Sequence, residues 1–119
     1  NHYVTAYDMY LIFNEALKYD TVNEIISMTS YDTVYTDKNG SEKTLSVKNT
    51  NQYLAGNVAA PHRVTVIGGK TGTTSAAGNC LILLARDTSG NPYIAVILKS
   101  AERGILYTEM NALLKQATS

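Results

Sequence analysis

The residues best suited to chemistry in this chain lie between Val66 and Ala85, in the stretch VIGGKTGTTSAAGNCLILLA. Gly69-Lys70-Thr71 matches the end of a phosphate-binding loop, in which backbone N–H groups cradle phosphates and the lysine meets their charge. Such a loop also needs a glycine five residues before the Gly of Gly-Lys-Thr, and it opens a helix whose N-terminal amides face the phosphates. Val64 holds the first position, and Thr71 is followed by Gly72, Gly78 and an apolar run with no room for a helix. The nucleotide reading fails on both counts. The plain alternative for an isolated Lys-Thr-Gly is a glycine-rich turn carrying a solvated lysine.

Other reactive side chains are sparse. Cys80 is the only cysteine, which excludes an intrachain disulfide; its apolar setting predicts a small buried hydrophobe. His2, His62 and Cys80 lack metal-ligand spacing, so no metal site and no cofactor is expected. Ser89-Gly90-Asn91 is the one Ser-x-Asn, but it falls in the turn-forming run DTSGNP. Formal net charge is zero, which argues against a nucleic-acid partner requiring a basic face. No apolar stretch is long enough to span a membrane. The 119 residues suffice for one domain. They open on Asn1-His2-Tyr3 without a starting Met or a signal peptide, as expected of a part of a longer protein.

The elements around Lys70 follow from patterning. Thr5 with Asp8 predicts a capped helix start, and Ala6 to Leu17 are apolar on most sides, which predicts a largely buried helix. Thr21 with Glu24 predicts a second capping box, opening a short helix with Val22, Ile25 and Ile26. YDTVYTDKNGSEKTLSV reads as a hairpin about Asn39-Gly40. KNTNQYLAGNVAAPH is polar and broken by Gly56 and Pro61, a loop long enough to imply function or packing. A strand runs from Arg63 into Lys-Thr-Gly; CLILLAR is a central strand buried on both faces, and YIAVILKS a third. Ser100 is placed to cap a final helix carrying Ile105, Leu106, Met110, Leu113, Leu114 and Ala117. This order predicts an α+β fold, an antiparallel sheet with packed helices.

In that context the block GGKTGTTSAAGNCLILLARD resembles the D-alanyl-D-alanine carboxypeptidases, the low-molecular-weight penicillin-binding proteins, in which a strand bearing Lys-Thr-Gly is followed by x-Thr, an Ala-Gly turn and the next strand. HYVTAYDMYLIFNEAL is similar to the family's His-x-x-Thr-Ala-x-Asp helix start. NTNQYL is similar to its Asn-x-Asn-x-Leu-Leu stretch, with Tyr53 where Leu is usual. AERGILYTEMNALL is similar to its final helix. The resemblance covers nearly the whole chain, and these ordered matches are together more specific than any one of them.

The resemblance implies a partial β-lactamase/transpeptidase-like fold over residues 1–119, the C-terminal part of a catalytic domain without its N-terminal strands and nucleophile segment. Family members use Ser-x-x-Lys, Ser-x-Asn and Lys-Thr-Gly: the serine attacks the bond between two D-alanines, and water releases the acyl-enzyme. No Ser-x-x-Lys occurs here, and the lone Ser-x-Asn follows Lys-Thr-Gly instead of preceding it. By resemblance, then, the chain supplies a substrate-binding wall and no nucleophile. Lys70 offers charge to the substrate carboxylate and the catalytic hydroxyls, Thr71 a hydrogen bond, Gly72 space, and Thr73 its backbone N–H to the oxyanion hole. Thr74 and Ser75 read as turn residues. The implied partners of the parent are the peptidoglycan stem peptide and β-lactams, and the implied location is outside the cytoplasm, in the bacterial cell envelope. Two N-terminal strands complete the family's sheet, one of them beside YIAVILKS. Without them, Tyr93–Lys99 is expected to be an open apolar edge that pairs with a second copy or is covered by the Asp32–Val47 hairpin. A non-catalytic module with this sheet, and a class A β-lactamase fragment, are the competing readings.

Overall fold

A computed structural model describes residues 3–118. The chain runs α1 (Ala6–Ala16), α2 (Asp20–Ser27), β1 (Ser30–Thr36), β2 (Glu42–Lys48), β3 (Thr65–Thr74), β4 (Gly78–Arg86), β5 (Pro92–Ser100) and α3 (Arg103–Ala117). β1 and β2 form a two-stranded antiparallel sheet, and β3, β4 and β5 a three-stranded one with β4 in the centre. The architecture is α+β, as the order of patterns predicts.

β4 explains why the larger sheet is the core. Its run of aliphatic residues packs in both directions, because successive side chains of a strand point to opposite faces. Leu81, Leu83 and Ala85 join Leu106, Tyr107, Met110 and Leu114 of α3 on one face. Ile82 and Leu84 meet Phe13 of α1 on the other. Leu83 is completely buried, so Leu83→Ala is expected to cost about 2–5 kcal/mol. A fall in the urea midpoint of unfolding at unchanged slope checks this; an unchanged midpoint would contradict the packing.

Four expectations need correction. α1 begins with the predicted box, Thr5 Oγ1 accepting from the Asp8 N–H and Asp8 from the Thr5 N–H, but it is not largely buried. Only Phe13 is, with Met9 and Leu17 packed beside it; Tyr7, Leu11 and Ile12 are exposed. A sheet covers a single stripe of a helix, and nothing else among the described residues covers the rest.

α2 starts one residue before Thr21, with Tyr19 at the cap and no side-chain cap bond. Asn23 Nδ2 instead donates back to the carbonyls of Leu17 and Tyr19, pulling the helix start upstream.

Ser100 does not cap α3. It is still in β5, buried, and its hydroxyl donates to Glu109 Oε1 at 2.6 Å; Glu102 is the cap residue, without a side-chain bond.

Cys80 is only half-buried. It pairs across the sheet with Gly72, and a glycine has no side chain to cover it.

The hairpin is as expected in extent, with a five-residue connection in which Asp37 Oδ1 accepts from the N–H groups of Asn39 and Ser41, and Gly40 takes φ +82°. It does not cover the edge of β5. It projects from the body with both faces exposed, and the radius of gyration, 16.0 Å, exceeds the ~13.5 Å of a compact chain of this length. The motif residue His2 lies outside the described residues.

Candidate substrate-binding site

β3 carries Lys70-Thr71-Gly72-Thr73, in register with Ile82, Leu81, Cys80 and Asn79 of β4. A register irregularity between Val66 and Gly68 lies just upstream. The two preceding glycines serve packing: a Cβ at Gly68 would run into the Ile26 carbonyl of α2, and one at Gly69 into the Ile82 carbonyl. Gly72 differs, since a Cβ there would meet nothing within 4 Å. Internal packing therefore does not demand glycine at position 72.

Lys70, Thr71, Gly72 and Thr73 all line one cavity of about 360 Å³. The strand thus brings together all four predicted site residues. Lys70 is exposed, and its Nζ donates to the Thr71 carbonyl. Thr73 Oγ1 bonds Asn79 Oδ1 at 3.3 Å. Thr74 stays in the turn, its hydroxyl accepting from the Ala77 N–H at 2.9 Å. Ser89 and Asn91 are held in the β4–β5 turn by Asp87, whose carboxyl their bonds, led by that from the Asn91 side chain, keep below the usual range.

Three contributors escaped the sequence reading. Arg103, the first residue of α3, reaches the same cavity and adds a second cation to Lys70. No local pattern marks it; it arrives because β5 returns the chain to the start of α3 beside the end of β3. Tyr107, one turn further, is buried, and its hydroxyl accepts from the Gln52 N–H at 3.1 Å. Thr50, within the Asn-Thr-Asn stretch, places its hydroxyl 2.6 Å from that of Thr71. The connection that holds Thr50 is no slack loop. Asn51 is fully buried, and Tyr53 stacks edge-on against Tyr107 at 5.3 Å and donates to Asn111 Oδ1 at 2.8 Å. Burial, with the neighbouring Tyr107 adding to it, pushes the Tyr53 phenol up to about 12, so it stays a donor.

The result is a pocket with two cations, threonine hydroxyls and the two amides of Gln52 and Asn79, and no carboxylate among its lining residues. Its chemistry favours an anion presented beside a strand edge. Among the described residues no group of three or more His, Cys, Asp or Glu could hold a metal ion.

The fold is similar to two mutants of the Streptomyces K15 DD-transpeptidase, at 27% and 26% identity and TM-scores of 0.82 and 0.81, covering 97% and 96% of this chain and 42% of each of those. It is also similar in fold to the D-alanyl-D-alanine carboxypeptidase of Mycobacterium tuberculosis, at 21% identity and a TM-score of 0.70, covering 93% of this chain and 39% of that one. The chain thus spans about two fifths of the length of the solved structures it matches. No curated protein matches it. The D-alanyl-D-alanine carboxypeptidase family matches residues 1–102, from before α1 to the threshold of α3 and across the whole Lys-Thr-Gly strand. The chain belongs to the D-alanyl-D-alanine carboxypeptidase family.

Proposed function

We propose that this chain is the substrate-binding wall of a serine-type D-alanyl-D-alanine carboxypeptidase, which trims peptidoglycan stem peptides through an acyl-enzyme and is acylated by penicillins. The observation that carries the reading is the convergence of Lys70 and Arg103 on one cavity with the Thr71 hydroxyl, free of any acidic lining residue. A peptide ending in D-alanine presents a carboxylate, which accepts hydrogen bonds only and needs such donors. Each charge pair at about 4 Å contributes roughly 4 kcal/mol at an effective dielectric near 20, before desolvation.

Gly72 leaves open the approach along the strand. The Thr73 N–H serves the oxyanion hole, and the orientation of β3 supports this role. The Thr71 carbonyl takes a bond from the Lys70 side chain, as a carbonyl on the open edge of a strand is free to do. In an antiparallel strand the N–H and C=O of one residue point the same way, and those two residues on point with them. The Thr73 N–H then faces the same edge, as an oxyanion donor must.

The nucleophile comes from elsewhere in the polypeptide, since no Ser-x-x-Lys occurs in these 119 residues. We place the parent outside the cytoplasm, in the bacterial cell envelope. No helix among the described residues is long and apolar enough to cross a membrane. On its own, the 119-residue chain pairs with a second copy through β5.

The test is labelling by a fluorescent penicillin. The isolated chain is expected to take up no covalent label. A polypeptide that joins it to the Ser-x-x-Lys segment of its parent is expected to be labelled stoichiometrically. A labelled serine within the isolated chain, or an unlabelled joined protein, would overturn the assignment.

A further inference from the structure

We infer that Thr50 is a positioning residue for the anion site: its hydroxyl donates to Thr71 and so turns the Thr71 proton toward the bound carboxylate. The inference rests on the function proposed above and adds a residue outside the Lys-Thr-Gly strand.

The argument is one of counting protons. A threonine hydroxyl has one proton to give and two lone pairs to receive. Thr50 Oγ1 and Thr71 Oγ1 are 2.6 Å apart, at the short end for a hydroxyl pair, and either can be the donor. If Thr71 gives its proton to Thr50, it shows a ligand only lone pairs, which repel a carboxylate. If Thr50 is the donor, the Thr71 proton is free for the anion. A carboxylate in the cavity therefore selects one direction, Thr50 to Thr71 to ligand, and each bond in such a chain polarises the next.

The scaffold keeps Thr50 in place for this task. On one side Asn49 Nδ2 donates to the Met28 carbonyl at 2.7 Å, and Asn49 Oδ1 accepts from the Asn51 N–H at 2.8 Å. On the other, the Gln52 N–H is tied to the hydroxyl of buried Tyr107. Thr50 itself lines the cavity. Its hydroxyl is thus held by backbone on both sides, so little ordering remains to be done when a ligand arrives.

The experiment compares two ligands and three variants in the parent protein carrying the nucleophile. One ligand is a peptide ending in D-alanyl-D-alanine; the other is its C-terminal amide, which lacks the charge. Thr50→Val keeps the shape and removes the hydroxyl, Thr50→Ser restores it, and Lys70→Ala tests the underlying site. Thr50→Val is expected to raise KM for the acid about tenfold, the upper range for one hydrogen bond, with kcat nearly unchanged. The amide is expected to change less than about twofold, and Thr50→Ser to return the acid to within about twofold of the original. Equal losses on acid and amide would reduce Thr50 to a structural role and overturn the inference. So would an unchanged KM in Thr50→Val where Lys70→Ala impairs the acid. If Lys70→Ala itself leaves the preference for the acid intact, the proposed function falls, and the Thr50 inference with it.

Discussion

Lys70→Ala is expected to slow acylation of the parent protein by penicillin about a hundredfold while moving its thermal midpoint by no more than about 2 °C. The two halves have separate causes. Lys70 is exposed on β3 and packs against nothing in either hydrophobic cluster, and surface substitutions of that kind stay within about 0.5 kcal/mol; for a protein longer than this chain that is about 2 °C. Lys70 also lines the cavity it shares with Arg103, which has no carboxylate among its lining residues, so a ligand anion bound there is a natural counter-charge for its ammonium. A hydrogen bond to a charged group contributes about 1.5–3 kcal/mol, and each 1.4 kcal/mol is roughly a decade in rate. Arg103→Ala is expected to act in the same direction, and the double variant to lose less than the sum, since both cations serve one anion. The acylation rate and the thermal midpoint, measured on the same preparations, decide the matter. An unchanged rate would leave Lys70 a solvated surface charge, and a large fall in midpoint would make it a structural residue.

How much of this was legible in the residues depends on how local each feature is. β4 was readable because an unbroken aliphatic run can only be satisfied by cover on both faces, and Leu81 to Leu84 have it. The order β3-β4-β5 followed from short turns, which make neighbours in sequence neighbours in the sheet. Lys70 to Thr73 were readable because a strand holds consecutive residues at one edge. Arg103 and Tyr107 were not, since they enter the cavity only through the return of the chain to α3, which no local pattern encodes. The apolar surface of α1 misled for a related reason: composition says that a side chain tends to be covered, while topology decides what is there to cover it. Tyr7, Leu11 and Ile12 stand exposed although their types predict the opposite. Ser100 misled because its hydroxyl has two possible tasks, and a carboxylate at 2.6 Å is a stronger partner than a helix N-terminus three residues away.

The 119-residue chain on its own is expected to dimerise through β5. Among the described residues β5 pairs with β4 on one side only, and the hairpin lies apart in its own sheet. Its outer edge offers a row of backbone donors and acceptors between apolar side chains, a template for another strand. The edge is self-complementary about Val96. An antiparallel pair centred there sets Val96 against its own copy and Ile94 against Leu98 on the face toward α1. On the other face it sets Ala95 against Ile97; the regular ladder ends there, because Leu98 and Lys99 bulge opposite Cys80 and Lys99 takes φ +61°. A two-fold axis supplies each of the off-axis pairs twice. The same axis brings the α1 helices toward each other, where Tyr7 and Leu11 lack cover. Sedimentation at tens of micromolar is therefore expected to give twice the 12.9 kDa chain mass, with slowed amide exchange at alternate residues from Ile94 to Leu98. A longer polypeptide can supply a strand of its own to this edge. Adding the N-terminal half of the parent in trans is accordingly expected to dissolve the dimer while keeping the β5 amides protected. A monomer whose Ile94 to Leu98 amides exchange rapidly would show that water alone serves the edge, and that the pairing about Val96 does not form.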